Sequence, residues 1–397
     1  MTHQKNHTPT RPAATLLLLT ATAYLAHAHP GSPSSEQTPG ILHIAGHITD
    51  EDVIIHFRFP TDSPSWYHQY WIRRGDAWVR YGSGTNGPDE HGFYEDRISI
   101  MWCDGSVADF STLGGFTTVH PGMRHTRSQA DPDDVRNHPH LGDQLGRTDV
   151  RKFIRESRDP SADGPLWKNI LPPDELMELR QTGRFLDLWQ WRAHRSNPVG
   201  FADNGYILEY RLNSQGRPMF TTNQNPETGE PLMMFDPEKT GFRALRLEKL
   251  TAKKYSQQDL YYLKKSTATP YDPDHPWTEG DAIPQRLLQQ PDGSRGAIRA
   301  RGEYTDGAWH VRLTRTLESP NPLDSLEFQR GKTYTAAFSV HTGGVGGGDH
   351  LVSMPVTIGF GTNATIRLDH HPQNAPEASN LNWQKLHLFH PGDPTPP

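Results

Sequence analysis

Two histidines of this sequence lie in glycine-punctuated bends beside β-like segments. His350 follows the glycine-rich run 342–349, and His120 lies between Gly115 and Gly122. Glycine has no side chain, so its backbone can approach a bulky ligand closely. A low-spin haem iron takes two axial side chains from opposite faces, which makes His350 and His120 candidate iron ligands. From the spacing alone, two ordinary loop histidines are the favoured interpretation, since ligand pockets are few per protein.

Two methionines are further candidate iron ligands. Met101 lies inside a β-like segment, where it also suits a hydrophobic core, and Met123 follows His120 by three residues in a loop. Trp189 and Trp191 share one face of the alternating segment 185–193. They are candidates for a cofactor wall, for core packing or for stacking on a sugar ring.

Other chemistries have little support in the sequence. It contains no G-x-S-x-G, H-E-x-x-H or P-loop motif. Cys103 is the single cysteine, which excludes an internal disulfide and the two thioether bonds of a c-type haem. A net charge of -6 argues against nucleic acid as a partner.

The amino terminus predicts export. Lys5 and Arg11 precede a short apolar stretch over 13–25, and Ala26-His27-Ala28 is typical of a cleavage site. The apolar stretch is too short to cross a bilayer. We therefore expect a signal peptide over 1–28, a flexible lead-in over 29–40, a periplasmic location and no transmembrane span.

The remaining chain predicts a mainly β protein with a single β domain over 41–368. Short segments rich in β-branched and aromatic residues recur between turn signals, which is typical of a sandwich or barrel. Residues 124–182 are rich in Arg, Asp and Pro and have too few apolar residues for a core, which favours a partly helical surface insertion. Residues 213–260 are polar and turn-rich, and 369–397 predict a loosely ordered tail.

A set of stretches in a fixed order resembles the ethylbenzene-dehydrogenase-related family of DOMON-like haem-binding domains, which includes domains labelled cytochrome c-552/DMSO-reductase-like. The stretches are 94–101, 114–124, 186–198, 293–296, 337–341 and 350–353. The resemblance implies an immunoglobulin-like, DOMON-type β-sandwich that holds haem b without covalent bonds. It also implies outer-sphere electron transfer, as a carrier or subunit rather than an enzyme.

The resemblance also implies particular site residues. The dehydrogenase subunit ligates its iron with a methionine and a lysine, and His350 stands here in the lysine's place. The methionine's place falls in the loop that contains His120 and Met123. Some relatives have Cys-x-x-Cys-His at that bend, where this chain has Phe116 and Val119 before His120, so covalent attachment is excluded.

The resemblance leaves the haem carboxylates and the partner to be assigned. Arg192, Arg195 and Arg295 are candidates for holding the haem propionates, although sheet-edge ion pairs explain them equally well. The implied partner is a redox protein, either a molybdoenzyme or a membrane b-type cytochrome.

Two alternatives remain open from the sequence. The same sandwich could serve as a non-catalytic module that binds sugars or other ligands through its tryptophans. Cleavage after Ala28 would place His29 at the amino terminus, as an amino-terminal copper-binding histidine requires.

Overall fold

A computed structural model of the protein describes residues 40–82, 92–343, 350–372 and 381–391. The described strands are β1 (Gly40–Ile48), β2 (Asp52–Pro60), β3 (Tyr70–Arg74), β4 (Ala77–Arg80), β5 (Arg97–Cys103), β6 (Leu186–Arg192), β7 (Phe201–Ile207), β8 (Arg211–Asn213), β9 (Phe220–Thr222), β10 (Met233–Phe235), β11 (Leu245–Arg246), β12 (Leu263–Lys264), β13 (Ala268–Pro270), β14 (Asp281–Pro284), β15 (Arg286–Leu288), β16 (Ile298–Thr305), β17 (Ala308–Thr316), β18 (Thr333–His341), β19 (Leu351–Val352), β20 (Val356–Phe360), β21 (Ile366–His370) and β22 (Gln384–Leu388).

The helices are short and lie between the strands. The α-helices are α1 (Phe110–Leu113), α2 (Pro132–Arg136), α3 (Pro173–Gln181), α4 (Pro237–Thr240) and α5 (Leu247–Thr251). Single 3-10 turns cover Gly114–Thr118, Arg155–Ser157, Leu166–Lys168, Asn197–Val199, Lys265–Thr267 and Gly293–Gly296, and a π turn covers Pro139–Gln144. No helix among the described residues is long and apolar enough to cross a membrane.

Among the described strands, ten form one hydrogen-bonded ring in the order β16-β17-β2-β1-β21-β20-β18-β5-β6-β7. The ring closes where Ile298 of β16 pairs with Ala202 of β7, and Arg299 with Phe201. On the other side of the ring, β21 pairs in parallel with both β1 and β20. It thereby connects the strands β16-β17-β2-β1 to the strands β20-β18-β5-β6-β7. The predicted mainly β class is confirmed. The sheet differs from the expected two-sheet sandwich because these pairings connect edges that a sandwich leaves apart.

The inside of the barrel is packed with side chains from opposite walls. Phe57 of β2 meets Phe338 of β18 with ring centroids 6.0 Å apart, and Trp191 of β6 meets Trp309 of β17 at 5.0 Å. A Cβ placed on Gly302 would lie 2.1 Å from the Trp191 ring. Glycine at 302 therefore allows the indole to cross the barrel, because any side chain there would overlap it.

A buried ion pair lies within this core. Arg315 Nη1 donates to Asp187 Oδ2 at 2.7 Å, and both side chains are fully inaccessible. The guanidinium also stacks over Phe328, 4.4 Å from the ring centroid. Leu326 N donates to the same Asp187 oxygen at 3.0 Å. The charge is thus matched by a partner, as a buried ion requires.

A second apolar cluster lies outside the barrel, built from 66–82 and 233–288. Tyr70, Ile72, Phe235, Leu263 and Ile283 are buried in it. The strands that carry it are two to five residues long. The part of this region within 213–260 was expected only to be polar and turn-rich, because such short strands carry almost no periodic signal.

The predicted insertion over 124–182 packs on the barrel and contains a small apolar cluster. Val135, Leu141, Phe153 and Trp167 are buried there, together with Tyr210 between β7 and β8. α3 instead contributes to the barrel's own cluster. The apolar content is small, as expected, but it suffices because the barrel supplies one side of the cluster.

Candidate functional site

The outer faces of β18, β5 and β6 meet in three cross-strand rows, which we call the outer floor. The rows are His341, Arg97 and Arg192; Ser339, Ser99 and Gln190; and Ala337, Met101 and Leu188. Along β5 they alternate with Ile98, Ile100 and Trp102, so the outer floor lies on the other face of the sheet. Its third row, Ala337, Met101 and Leu188, still contacts the barrel's apolar cluster.

His350 lies over the first row of the outer floor. Its ring stacks on His341 with centroids 4.7 Å apart and planes 9° apart. The strand that follows is fixed in place, because Val352 of β19 pairs with Ser339 of β18. Burial, and then the nearby charge of Arg97, hold the pKa of His341 well below its usual range. Its ring is therefore neutral, and its buried Nδ1 has no hydrogen-bond partner among the described residues.

Met101 lies in the third row, beneath the 3-10 turn Gly114–Thr118. A Cβ placed on Gly115 would lie 3.8 Å from the Met101 sulfur, and one on Gly114 would lie 3.3 Å from the Cβ of Ala337. The turn can approach the sheet this closely because two glycines face it. The predicted Met101 candidate is therefore on the outer face rather than in the barrel interior.

Lys152 holds the covering turn and was missed from the sequence. Its Nζ donates to the carbonyl of Gly115 at 3.3 Å and to Thr118 Oγ1 at 3.1 Å. Burial, and then the charge of Arg211, lower the pKa of Lys152 to about 8. No motif surrounds this lysine in the sequence, so only its contacts reveal that it lies near Met101.

His350 and Met101 thus lie at opposite ends of the outer floor. Arg97 pairs with His341, and Met101 follows Arg97 by four residues on β5. The Cα atoms of Arg97 and Met101 are therefore roughly 13 Å apart. The row between them has the small side chains of Ser99 and Ser339. An imidazole from one end and a thioether from the other are side chains that could hold a haem iron.

The other two predicted ligands belong to the insertion. His120 Nε2 lies 2.9 Å from the Phe153 carbonyl oxygen, and the two rings stack at 4.0 Å. Burial lowers the pKa of His120 to about 4. Met123 bridges to Val150 and packs against the insertion's apolar cluster. No contact among the described residues brings either side chain to the outer floor.

The predicted arginines all meet carboxylates. Arg192 Nη1 donates to Asp203 at 3.1 Å, and Arg295 donates to the same carboxylate with two bonds of 3.1 Å. Arg195 donates to Glu95. All three arginines thus form ion pairs with carboxylates of the protein, as the alternative to propionate binding expected. Only Arg192 of the three belongs to the outer floor.

The predicted tryptophans face the barrel interior. Trp189 and Trp191 are fully buried there, on the side of β6 opposite Leu188, Gln190 and Arg192. The predicted alternation of this strand is seen in the structure. Their contacts are those of core residues, with Trp189 beside Trp102 and Trp191 beside Trp309.

A cavity of about 120 Å³ adjoins the outer floor between β6–β8 and the insertion. We call it the arginine groove, because Arg147, Arg151, Arg192 and Arg211 line it. Pockets for whole cofactors or drug-sized ligands have volumes of about 300–1,000 Å³. The outer floor thus has donor atoms of the types that a haem iron takes, and the groove beside it is smaller than a whole-cofactor pocket.

A bare metal ion has less support than a haem iron. No group of three or more His, Cys, Asp or Glu side chains in the described parts of the chain is arranged to hold a metal ion. A haem iron takes only two protein ligands because the porphyrin supplies the other four. The predicted signal peptide, the copper ligand His29, and residues 373–380 and 392–397 of the predicted tail lie outside the described residues. The described part of that tail includes β22, which pairs with β1.

Comparison with known proteins gives one family. The family model for ethylbenzene dehydrogenase matches residues 29–353, which include the barrel strands from β1 to β19 and the whole outer floor. A search of curated proteins gave no match. Because the family model covers most of the sequence, the chain belongs to the ethylbenzene dehydrogenase family.

Proposed function

We propose that this protein is an exported, non-covalent haem b protein that transfers electrons in association with an oxidoreductase. The observation that carries the proposal is the position of His350 and Met101 at opposite ends of the outer floor. Membership of the ethylbenzene dehydrogenase family supports a redox role. A molybdoenzyme or a membrane b-type cytochrome is the partner that this role requires.

The residues of the outer floor have distinct tasks in this proposal. His350 and Met101 would hold the iron, and the bound haem would supply one-electron chemistry without an open site for substrate. His341 fixes the orientation of the His350 ring by stacking on it. Arg97 is the cation next to these rings, and a nearby positive charge favours the reduced state of a redox group.

Absorption spectra test this proposal directly. The purified protein, loaded with haemin if necessary, should show a Soret band and sharp low-spin bands after reduction. His350→Ala and Met101→Leu should each abolish the low-spin spectrum. A wild-type protein that takes up no haemin while remaining folded would contradict the proposal.

Export and partnership need separate measurements. Fractionation of cells followed by amino-terminal sequencing should find the protein in the periplasm, beginning after Ala28. Reduced haem protein mixed with a candidate partner should be oxidised rapidly, and the rate should saturate with partner concentration. A protein that stays in the cytoplasm would contradict the proposed location.

A further inference from the structure

The arginine groove has the size of a small anion site. Its volume is about 120 Å³, whereas pockets that enclose a whole cofactor measure about 300–1,000 Å³. The space therefore suits one carboxylate or phosphate group with a few waters, and it is too small for a porphyrin ring. Its lining also includes the polar residues Gln190, Asp203, Tyr210 and Asn213.

Two of the groove's four arginines are already matched by carboxylates. Arg151 Nε donates to Asp149 at 3.1 Å, and its Nη2 lies 2.9 Å from the other oxygen of that carboxylate. Arg192 shares Asp203 with Arg295. Asp149 also pairs with Arg124, so each of the two carboxylates already faces two arginines.

Arg147 and Arg211 are the unmatched pair. Neither forms an ion pair with a carboxylate among the described residues. The Arg147 guanidinium lies over the Tyr210 ring at 5.0 Å, and its buried Nε has no hydrogen-bond partner in the described structure.

The surroundings of Arg211 favour a bound anion as well. Arg211 is exposed and lines the groove, where the surrounding protein atoms partly desolvate its guanidinium. This desolvation, and then the charges of Arg192 and Arg151, lower the pKa of Arg211 to about 10. An anion in the groove would relieve the repulsion among these cations, since guanidinium groups bind carboxylate and phosphate with paired hydrogen bonds.

We propose that the arginine groove binds a single carboxylate or phosphate oxyanion, held chiefly by Arg147 and Arg211. The groove shares Arg192, Gln190 and Leu188 with the outer floor. In the haem-loaded protein the oxyanion is a haem propionate, an assignment that rests on the proposed function. In haem-free protein the groove takes free phosphate.

The first experiment titrates inorganic phosphate into haem-free protein at low salt by calorimetry. We expect saturable binding that weakens at least about tenfold in the double variant Arg147→Gln/Arg211→Gln, because two charge-assisted contacts are lost. Arg301→Gln is the matched control, since this arginine is 85% exposed and pairs weakly with Glu303. Unchanged phosphate affinity in a folded double variant, or no saturable binding to wild type, overturns the free-phosphate site.

The second experiment compares haem with haem whose two carboxylates are methyl esters. We expect the ester to bind wild type at least about tenfold more weakly, and the double variant to bind both forms alike. Saturation with haem should also abolish phosphate binding. Equal affinity of wild type for haem and its ester overturns the propionate assignment.

The two experiments separate this inference from the proposed function. A protein with a His350-dependent low-spin spectrum but no effect of the double substitution keeps the function and loses the inference. A protein that takes up no haem but binds phosphate through Arg147 and Arg211 loses the function and keeps the anion site.

Discussion

His341 and His350 stack face to face, 4.7 Å between ring centroids, although eight residues separate them along the chain. The pairing of β19 with β18 holds this stack in register. One ring is anchored in a barrel strand, and the other follows a glycine-rich connection. The stack therefore couples a rigid support to a ring that can face a ligand.

Removal of each stacked histidine should have a different effect on haem. His350→Ala removes a proposed iron ligand and should abolish the low-spin spectrum. His341→Ala removes only the stacking partner, so the low-spin spectrum should persist with weaker haem affinity. Absorption spectra and haemin titrations would measure both. His387→Ala is the control because this histidine is exposed, and identical spectra for all three variants would contradict the assignment.

Met101→Leu should separate iron ligation from packing. Leucine has nearly the same volume, so the free energy of unfolding should fall by less than about 1.5 kcal/mol. The thioether is lost, however, and the iron should become high-spin. Urea unfolding and the reduced-state spectrum would measure the two effects. Met177→Leu is the control, at an exposed position on α3. A wild-type spectrum in Met101→Leu would exclude Met101 as a ligand.

Breaking the buried pair Asp187–Arg315 should lower the free energy of unfolding more than replacing both residues with apolar ones. Asp187→Ala leaves an uncompensated guanidinium in the core and should lower the free energy of unfolding by about 3–5 kcal/mol. The double variant Asp187→Leu/Arg315→Met should recover much of this loss. The exposed pair of Arg367 and Asp369 is the control, where Asp369→Ala should cost at most about 1 kcal/mol. Denaturant titration would measure each value, and a double variant less stable than Asp187→Ala would contradict the expectation.

The free energy of unfolding should depend on pH through the carboxyl group of Glu95. Burial alone would raise its pKa, but Arg195 and His194 outweigh it, so the pKa in the folded protein lies below 4.5. A depressed carboxyl pKa stabilises the folded state above the unfolded value, and this contribution is lost as pH falls through the folded value. The stability gap between wild type and Glu95→Gln should therefore be large at pH 7 and shrink below about pH 4.5. Unfolding at several pH values, with the exposed Glu303→Gln as control, would test this; a gap that is constant with pH would contradict it.

The strands of the barrel were largely predictable from the sequence, because β-branched and aromatic residues alternate over long segments. Residues 41–48 and 53–60 are rich in β-branched and aromatic residues and form most of β1 and β2, and Asp306-Gly307, a typical hairpin turn, joins β16 to β17. The second apolar cluster was not predictable in this way. It is assembled from strands of a few residues that are far apart in the chain, such as β3 and β14.

The candidate site was predictable only in part, because periodicity does not show which outward faces become neighbours. His350 and Met101 were identified as single candidates, but their common floor depends on the pairing of β18 with β5. Lys152, Arg147 and Arg211 have no motif around them, and their contacts depend on how the insertion packs on the barrel. His120 was singled out by its glycine-rich bend, which does not indicate that its Nε2 faces the Phe153 carbonyl.

The outer floor forms only after three segments that are far apart in the sequence have paired. Its three strands come from 97–103, 186–192 and 333–341, and β5 lies between the other two. Pairings between segments so distant in sequence form slowly, because closing the long intervening chain costs conformational entropy before the contacts are made. During synthesis, the stretch bearing Met101 emerges long before its neighbour β18 or His350. A ligand of the outer floor therefore meets a finished polypeptide, and its loading is a late event in the life of the molecule.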